Sequence, residues 1–175
     1  MIESYKDLRH RRSLRLPDYD YTAPGAYFVT VCTSMSGNNL GIILAGGQLK
    51  INLYGKIVRE EWLRAAELRK NVELDEFVVM PDHLHGIIIL NQAGTVPRAP
   101  TPESFSKPTS ASLPTIIRYF KAAVTRRIRL TGAKLDQKFW QRGYYEHIIR
   151  KTEDINLLRE YIIYNPLRRS LSEKP

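Results

Sequence analysis

Apolar positions along the chain switch repeatedly between a period of two and a helical period. After the turn at Pro24-Gly25, the run Tyr27-Phe28-Val29-Thr30-Val31-Cys32 is β-branched and aromatic, which predicts a strand. Residues 40–51 read as a short hairpin, with Ile42-Ile43-Leu44 and Gln48-Leu49-Lys50-Ile51 on either side of Ala45-Gly46-Gly47. From about Tyr54 to Lys70, Ile57, Val58, Trp62, Ala65 and Leu68 recur at helical spacing with charges between them. Phe77-Val78-Val79-Met80 and Leu84 to Leu90 are β-rich again, two strands or one bent pair interrupted by Pro81-Asp82. The pattern then lapses over residues 91–112, where Pro97, Pro100, Pro102 and Pro108 lie among Ser, Thr and Gly, a flexible loop by composition.

A second helix is expected from Pro114 to Arg129, with Ile116, Ile117, Phe120, Val124 and Ile128 inward and the proline suited to the first turn. Tyr144 to Arg150 reads as a strand. Thr152 is placed to cap a last helix whose first turn holds Glu153 and Asp154, and Pro166 is expected to end it. This order of elements predicts an α+β fold, an antiparallel sheet with helices covering it. The 175 residues show no internal repeat. They suffice for one domain of the usual size of roughly 100 to 150 residues or somewhat more. We therefore expect a single domain over 1–175, with a basic arm over 1–20 and the loop over 91–112.

Charge changes the picture. Lys and Arg number 27 against 18 Asp and Glu, a formal +9, which points to a polyanionic partner and first to nucleic acid. Lys6, Arg9, His10, Arg11, Arg12 and Arg15 crowd the N-terminal arm, which suits a segment laid along phosphates or, equally, a solvated tail. The outer face of the second helix, Arg118, Lys121, Arg126, Arg127 and Arg129, is open to the same two readings. Cys32 is the single cysteine, which excludes an intrachain disulfide and an all-cysteine zinc site and fits a cytoplasmic location. The first residues lack the apolar core of a signal peptide, and no run of about 18 apolar residues occurs, so no membrane partner is expected.

Candidate chemistry centres on His83-Leu84-His85. In a strand the period of two points both imidazoles to one face while Leu84 enters the core, an arrangement suited to a divalent metal. Two imidazoles leave coordination positions open to substrate phosphate or water. On the last helix Tyr161 and Asn165 lie four apart, so a phenol and an amide share a face. A phenol near a polarised phosphate can attack phosphorus and hold DNA covalently. Spacing alone, however, leaves Tyr161 one of ten tyrosines and more readily a packing residue than a nucleophile. Tyr144 and Tyr145 compete as nucleophiles by type. His147 reads as structural or as a phosphate contact, and Phe139 and Trp140 as base-stacking platforms or core.

Three motifs in order carry a resemblance. Val78-Val79-Met80-Pro81-Asp82-His83-Leu84-His85-Gly86 resembles the His-hydrophobic-His strand of the HUH transposases. Phe139-Trp140-Gln141-Arg142, Tyr144 to Arg150 and Tyr161-Ile162-Ile163-Tyr164-Asn165-Pro166 resemble the C-terminal signature of the REP-associated tyrosine transposases. The opening from Arg11 to Tyr21 is also similar to that branch, and the likeness spans about residues 11 to 169. It implies a ferredoxin-like sheet with helices on one side. It also implies His83 and His85 as metal ligands for Mg²⁺ or Mn²⁺, Tyr161 as nucleophile, and Asn165 where a glutamine serves as third ligand in simpler relatives. The implied reaction cuts single-stranded DNA beside a hairpin through a 5′-phosphotyrosine and transfers it to another end, by a monomer or a homodimer. The expected DNA contacts are Arg11, Arg12, Arg15, Arg118, Lys121, Arg126, Arg127, Trp140 and Arg142. A histidine-triad hydrolase would need a third histidine where Ile87 stands. A hairpin-binding protein that does not cut is the alternative that the charge explains as well.

Overall fold

Strand-forming runs and amphipathic helices alternate so that each strand gains a neighbour and each helix a face to cover. The computed structural model describes residues 19–34, 37–92, 112–135, 137–150 and 153–172. In chain order these form β1 (Gly25–Cys32), β2 (Gly41–Ile43), a 3₁₀ turn (Ala45–Gly47), β3 (Leu49–Ile51), α1 (Leu53–Glu67), β4 (Val72–Val79), β5 (His83–Leu90), α2 (Leu113–Leu130), β6 (Tyr145–Ile149) and α3 (Ile155–Ser172). The main sheet has the order β4-β5-β1-β6 with every neighbour antiparallel. With α1 between β1 and β4, and α2 between β5 and β6, this is the βαββαβ ferredoxin-like arrangement. Strands β2 and β3 form a separate hairpin. Residues 1–18 of the N-terminal arm, Thr152 and residues 93–111 of the Pro-rich loop lie outside the described residues.

The sheet divides the interior in two. Tyr27, Val29 and Val31 of β1 and Leu84, Ile88 and Leu90 of β5 face α1 and α2, where they meet Ile57, Val58, Trp62, Ile116, Phe120 and Val124 in the larger core. The alternate residues Phe28 and Ile87 face the other way and pack with Leu158 and Ile162 of α3. Helices therefore cover both faces, whereas one side was expected. The helix caps follow sequence rules: the Asn52 side chain accepts from Gly55 N at the start of α1, and Ser112 from Thr115 N at the start of α2. Arg127 ties the two helices together through Glu60 (2.6 Å) and Glu61 (3.0 Å).

Gly86 is dictated by close approach. Trp62 is fully buried, and a Cβ on Gly86 would stand 2.5 Å from its Cζ2. The missing side chain lets the indole lie against β5 between the two helices and the strand that carries the histidine pair.

The last helix differs from expectation at both ends. Pro166 lies inside it and is buried, and α3 continues to Ser172. Proline costs a helix one hydrogen bond, and tertiary contacts hold the segment beyond it. Gly47 abuts the backbone of Leu167, where a Cβ would stand 2.6 Å from Leu167 Cα, and Arg169 reaches Asp82 at 2.6 Å. At the N-terminus Asp154 supplies the cap, its carboxylate accepting from Asn156 N at 2.9 Å, and it precedes the first turn. Glu153 instead accepts from Arg150 N (3.0 Å) and pairs with His147 (2.9 Å). Near the middle of the chain, β4 starts at Val72, five residues before the expected Phe77.

Two predictions follow from the packing. Gly86→Ala forces the Trp62 ring out of its place and should lower stability by about 1 to 3 kcal/mol, read from the urea midpoint; an unchanged midpoint would show that the indole has room to move. The second concerns the pair between Arg159 and Asp75 (2.6 Å), which anchors α3 to β4. The Arg159 hydrogen bonds hold the Asp75 carboxyl below its ordinary value against the opposing effect of burial. A depressed carboxyl contributes stability that is complete above its unfolded value and lost as pH falls through the folded one. Arg159→Ala should therefore lose less Tm than the wild type between about pH 6 and about pH 3, and an equal loss in both would assign the acid limb to other groups.

Candidate active site

Register places the site. Antiparallel pairing of β1 with β5 sets Thr30 opposite His85 and Cys32 opposite His83, and pairing of β1 with β6 sets Tyr145 opposite Thr30 and His147 opposite Phe28. All of these side chains project from the face that α3 crosses. Along α3, Tyr161, Asn165 and Arg169 recur every four residues and turn the same way. Together with Asp82, Gln141 and Glu146 they line a cleft of about 530 Å³.

The histidines converge within it. His83 Nε2 and His85 Nε2 are 3.0 Å apart. Two imidazoles bound at right angles to one cation, each at about 2.1 Å, would hold their nitrogens roughly 3.0 Å apart, so the spacing fits a shared divalent ion. The outer nitrogens are also held: His83 Nδ1 lies 2.7 Å from Asp82 Oδ1, and His85 Nδ1 lies 2.7 Å from Thr30 Oγ1. Burial disfavours an ionised Asp82. The hydrogen bonds from His83 and Arg169 outweigh it and hold the carboxyl well below the ordinary carboxylate range. An ionised carboxylate only accepts, so His83 Nδ1 donates to it, which leaves Nε2 as the ring nitrogen that faces His85 and would meet a metal. His85 is buried, and burial followed by the neighbouring His83 pushes its pKa well below the usual imidazole value, which keeps it neutral. Among the described residues no three His, Cys, Asp or Glu side chains form a metal cage. Further ligands would be the Asn165 amide, water or phosphate oxygen.

Tyr161 stands beside this pair. Its ring meets His85 edge-on at 5.4 Å between centroids and Phe28 at 6.0 Å, both in the same chain. Of the competing tyrosines, Tyr145 also lines the cleft. Tyr144 packs against the larger core on the opposite face, and Tyr164 is exposed on α3 outside the cleft.

Most residues expected to touch DNA sit elsewhere. Arg11, Arg12 and Arg15 lie outside the described residues. Lys121 donates to the carbonyls of Gln141 and Gly143, both at 2.7 Å, and its burial pulls the amine down to about 8. Arg127 is engaged with α1, as described above. Arg118 stacks over Tyr119 at 5.4 Å, and Arg126 lines a shallow groove with Arg129 and Trp140 on the α2 side of the sheet. Arg142 is exposed in the turn after Gln141. Trp140 is 6% exposed and donates its indole N–H to Lys121 O, so most of the ring packs in the core, with an edge on that groove. Sequence reading missed Asp82, Thr30 and Arg169. Arg169 was findable, as it continues the four-residue spacing of Tyr161 and Asn165; Thr30 was not, because only strand pairing brings it to His85.

No family model matches the chain. An uncharacterised protein of Haemophilus influenzae is 38% identical over 165 residues, spanning 91% of this chain and 90% of its own length. Among solved structures, a REP-associated tyrosine transposase bound to a REP hairpin aligns with a TM-score of 0.55 at 22% identity, covering 91% of this chain and 73% of that one. A candidate transposase of Deinococcus radiodurans aligns at 18% identity with a TM-score of 0.43, covering 87% of this chain and 96% of that one. The chain thus belongs to one family with the Haemophilus influenzae protein, and its fold is that of the REP-associated tyrosine transposases.

Proposed function

We propose that the protein is a transposase-like enzyme that cuts and rejoins single-stranded DNA beside a hairpin, with Tyr161 as nucleophile. The observation that carries this reading is the seating of Tyr161 against the converged His83 and His85 within one chain. The solved relative bound to a REP hairpin supports hairpin DNA as the partner. So does the formal charge of +9.

In this reaction the Tyr161 oxygen attacks the scissile phosphorus and the bond from phosphorus to the 3′ oxygen breaks. The leaving oxygen takes up a proton and departs as a 3′-hydroxyl, while the 5′-phosphate stays esterified to the tyrosine. Attack by a 3′-hydroxyl from another end reverses the step and releases the enzyme, so the phosphodiester energy is conserved. A divalent cation, Mg²⁺ or Mn²⁺, supplies charge neutralisation at the phosphate when bound. His83 and His85 would hold it, Asp82 and Thr30 orient their rings, and Asn165 presents an amide to the same cleft. Phe28 fixes the Tyr161 ring from the sheet side. That α3 folds onto its own sheet supports a reading in which one chain brings Tyr161 to its own histidine pair.

Wild type and Tyr161→Phe should be incubated with end-labelled single-stranded hairpin DNA and Mn²⁺. A denaturation-resistant adduct is expected in the wild type alone. An adduct that survives in Tyr161→Phe would move the nucleophile to Tyr145, the other tyrosine in the cleft. Binding without any adduct would favour a hairpin-binding protein that does not cut. Asp82→Asn, which leaves the His83 ring without its carboxylate, should weaken Mn²⁺ binding by about 10- to 100-fold in calorimetry; unaltered affinity would take Asp82 out of the site.

A further inference from the structure

The last turns of α3 reach the histidine pair by a route the proposed chemistry does not use. Asp82 Oδ1 accepts from Arg169 Nη1 at 2.6 Å and lies 2.7 Å from His83 Nδ1, so one carboxylate oxygen serves both partners. Arg169 is eight residues beyond Tyr161 on the same helix. Pro166 stands between the two and removes one helix hydrogen bond, so the final turns depend on outside contacts to stay in line. Among such contacts are Gly47 against Leu167 and Arg169 on Asp82. Thus the group that seats the end of the nucleophile helix also bonds the residue that sets the plane of the His83 ring.

We propose that Arg169 is a positioning residue that couples the docking of α3, and with it Tyr161, to the metal-binding orientation of His83. The inference rests on the reading of His83 and His85 as a metal pair. With Arg169 in place, Asp82 is fixed from both sides and His83 Nε2 points at His85 Nε2. Without it Asp82, about one-third exposed, is free to turn toward solvent, and His83 loses its fixed tautomer and plane. Coupling of this kind is reciprocal: whatever factor Arg169 contributes to metal affinity, bound metal returns to the docking of α3. The second anchor of the helix supplies a control. Arg159 holds α3 to Asp75 of β4 and touches no residue of the histidine pair.

The test uses the full chain and Mn²⁺ alone, with calorimetry for affinity and amide hydrogen exchange for α3. Wild type, Arg169→Ala, Arg169→Lys, Arg159→Ala and His83→Ala are compared. Arg169→Ala should weaken Mn²⁺ binding about ten-fold, and Arg169→Lys should recover part of that, since an ammonium reaches one carboxylate oxygen. Arg159→Ala should exchange faster along α3 yet bind Mn²⁺ like the wild type. Added Mn²⁺ should slow α3 exchange in the wild type, and in Arg169→Ala the slowing should shrink by about the same ten-fold factor. Wild-type affinity in Arg169→Ala would overturn the coupling and leave the metal pair standing. Equal weakening in Arg159→Ala would overturn it too, by showing that any loosening of the helix has this effect. Wild-type Mn²⁺ binding that is absent, or unaltered by His83→Ala, would sink the metal reading and the coupling with it.

Discussion

The antiparallel register between β1 and β5 is the constraint on which the site depends. It sets Thr30 beside His85 and Cys32 beside His83, and it turns both imidazoles away from the large core. A slip of one residue would bury the histidines among Val29, Val31 and Trp62 and push Leu84 and Ile88 into the cleft. The cost of burying two polar rings and exposing fully buried aliphatics makes that slip prohibitive. Hydrophobic burial on one face of the sheet thus fixes the geometry of a polar site on the other.

That division assigns different work to the two faces. Against α1 and α2, Trp62, Phe120, Ile116 and their neighbours form the broad apolar contact that holds most of the buried apolar side chains. The α3 face has a small cluster of Phe28, Ile87, Leu158 and Ile162, and beside it the polar groups of the cleft. Gly86 joins the two roles, since its missing side chain admits the Trp62 ring directly beneath the strand that bears His83 and His85. No helix among the described residues is long and apolar enough to cross a membrane, so the exposed apolar residues of α3 face outward from a helix too polar to span one.

How far this was legible from residues alone depended on whether the signal was local. Strand and helix periods gave β1, β5, α1 and α2 with small errors at the ends, and the βαββαβ order followed the motif resemblance. His83 and His85 were visible because a strand's period of two is a local rule. That Tyr161 and Asn165 share a face was visible because helical spacing is another, whereas only the motif resemblance singled Tyr161 out from the other tyrosines. What escaped was tertiary. Pro166 was read as a helix end because its effect on the backbone is local, while the contacts from Gly47 and Asp82 that override it come from far along the chain. Trp140 was ambiguous because an aromatic's type does not say which side of it is covered. Lys121 and Arg127 looked like a solvated basic face, yet each found carbonyl or carboxylate partners that no periodicity encodes.

The narrowness of the apolar seat under α3 has a consequence for motion. Local opening free energy scales with the apolar surface and hydrogen bonds that an element loses on leaving. α3 would give up the burial of its own Leu158, Ile162 and Pro166 and a pair of ion contacts, uncovering Phe28 and Ile87 beneath, whereas removing β5 would dismantle the whole interior. The helix that bears the phenol and the strand that bears the imidazoles therefore belong to different cooperative units. The first can lift and reseat while the second stays folded, so the cleft between them can widen without disturbing the core.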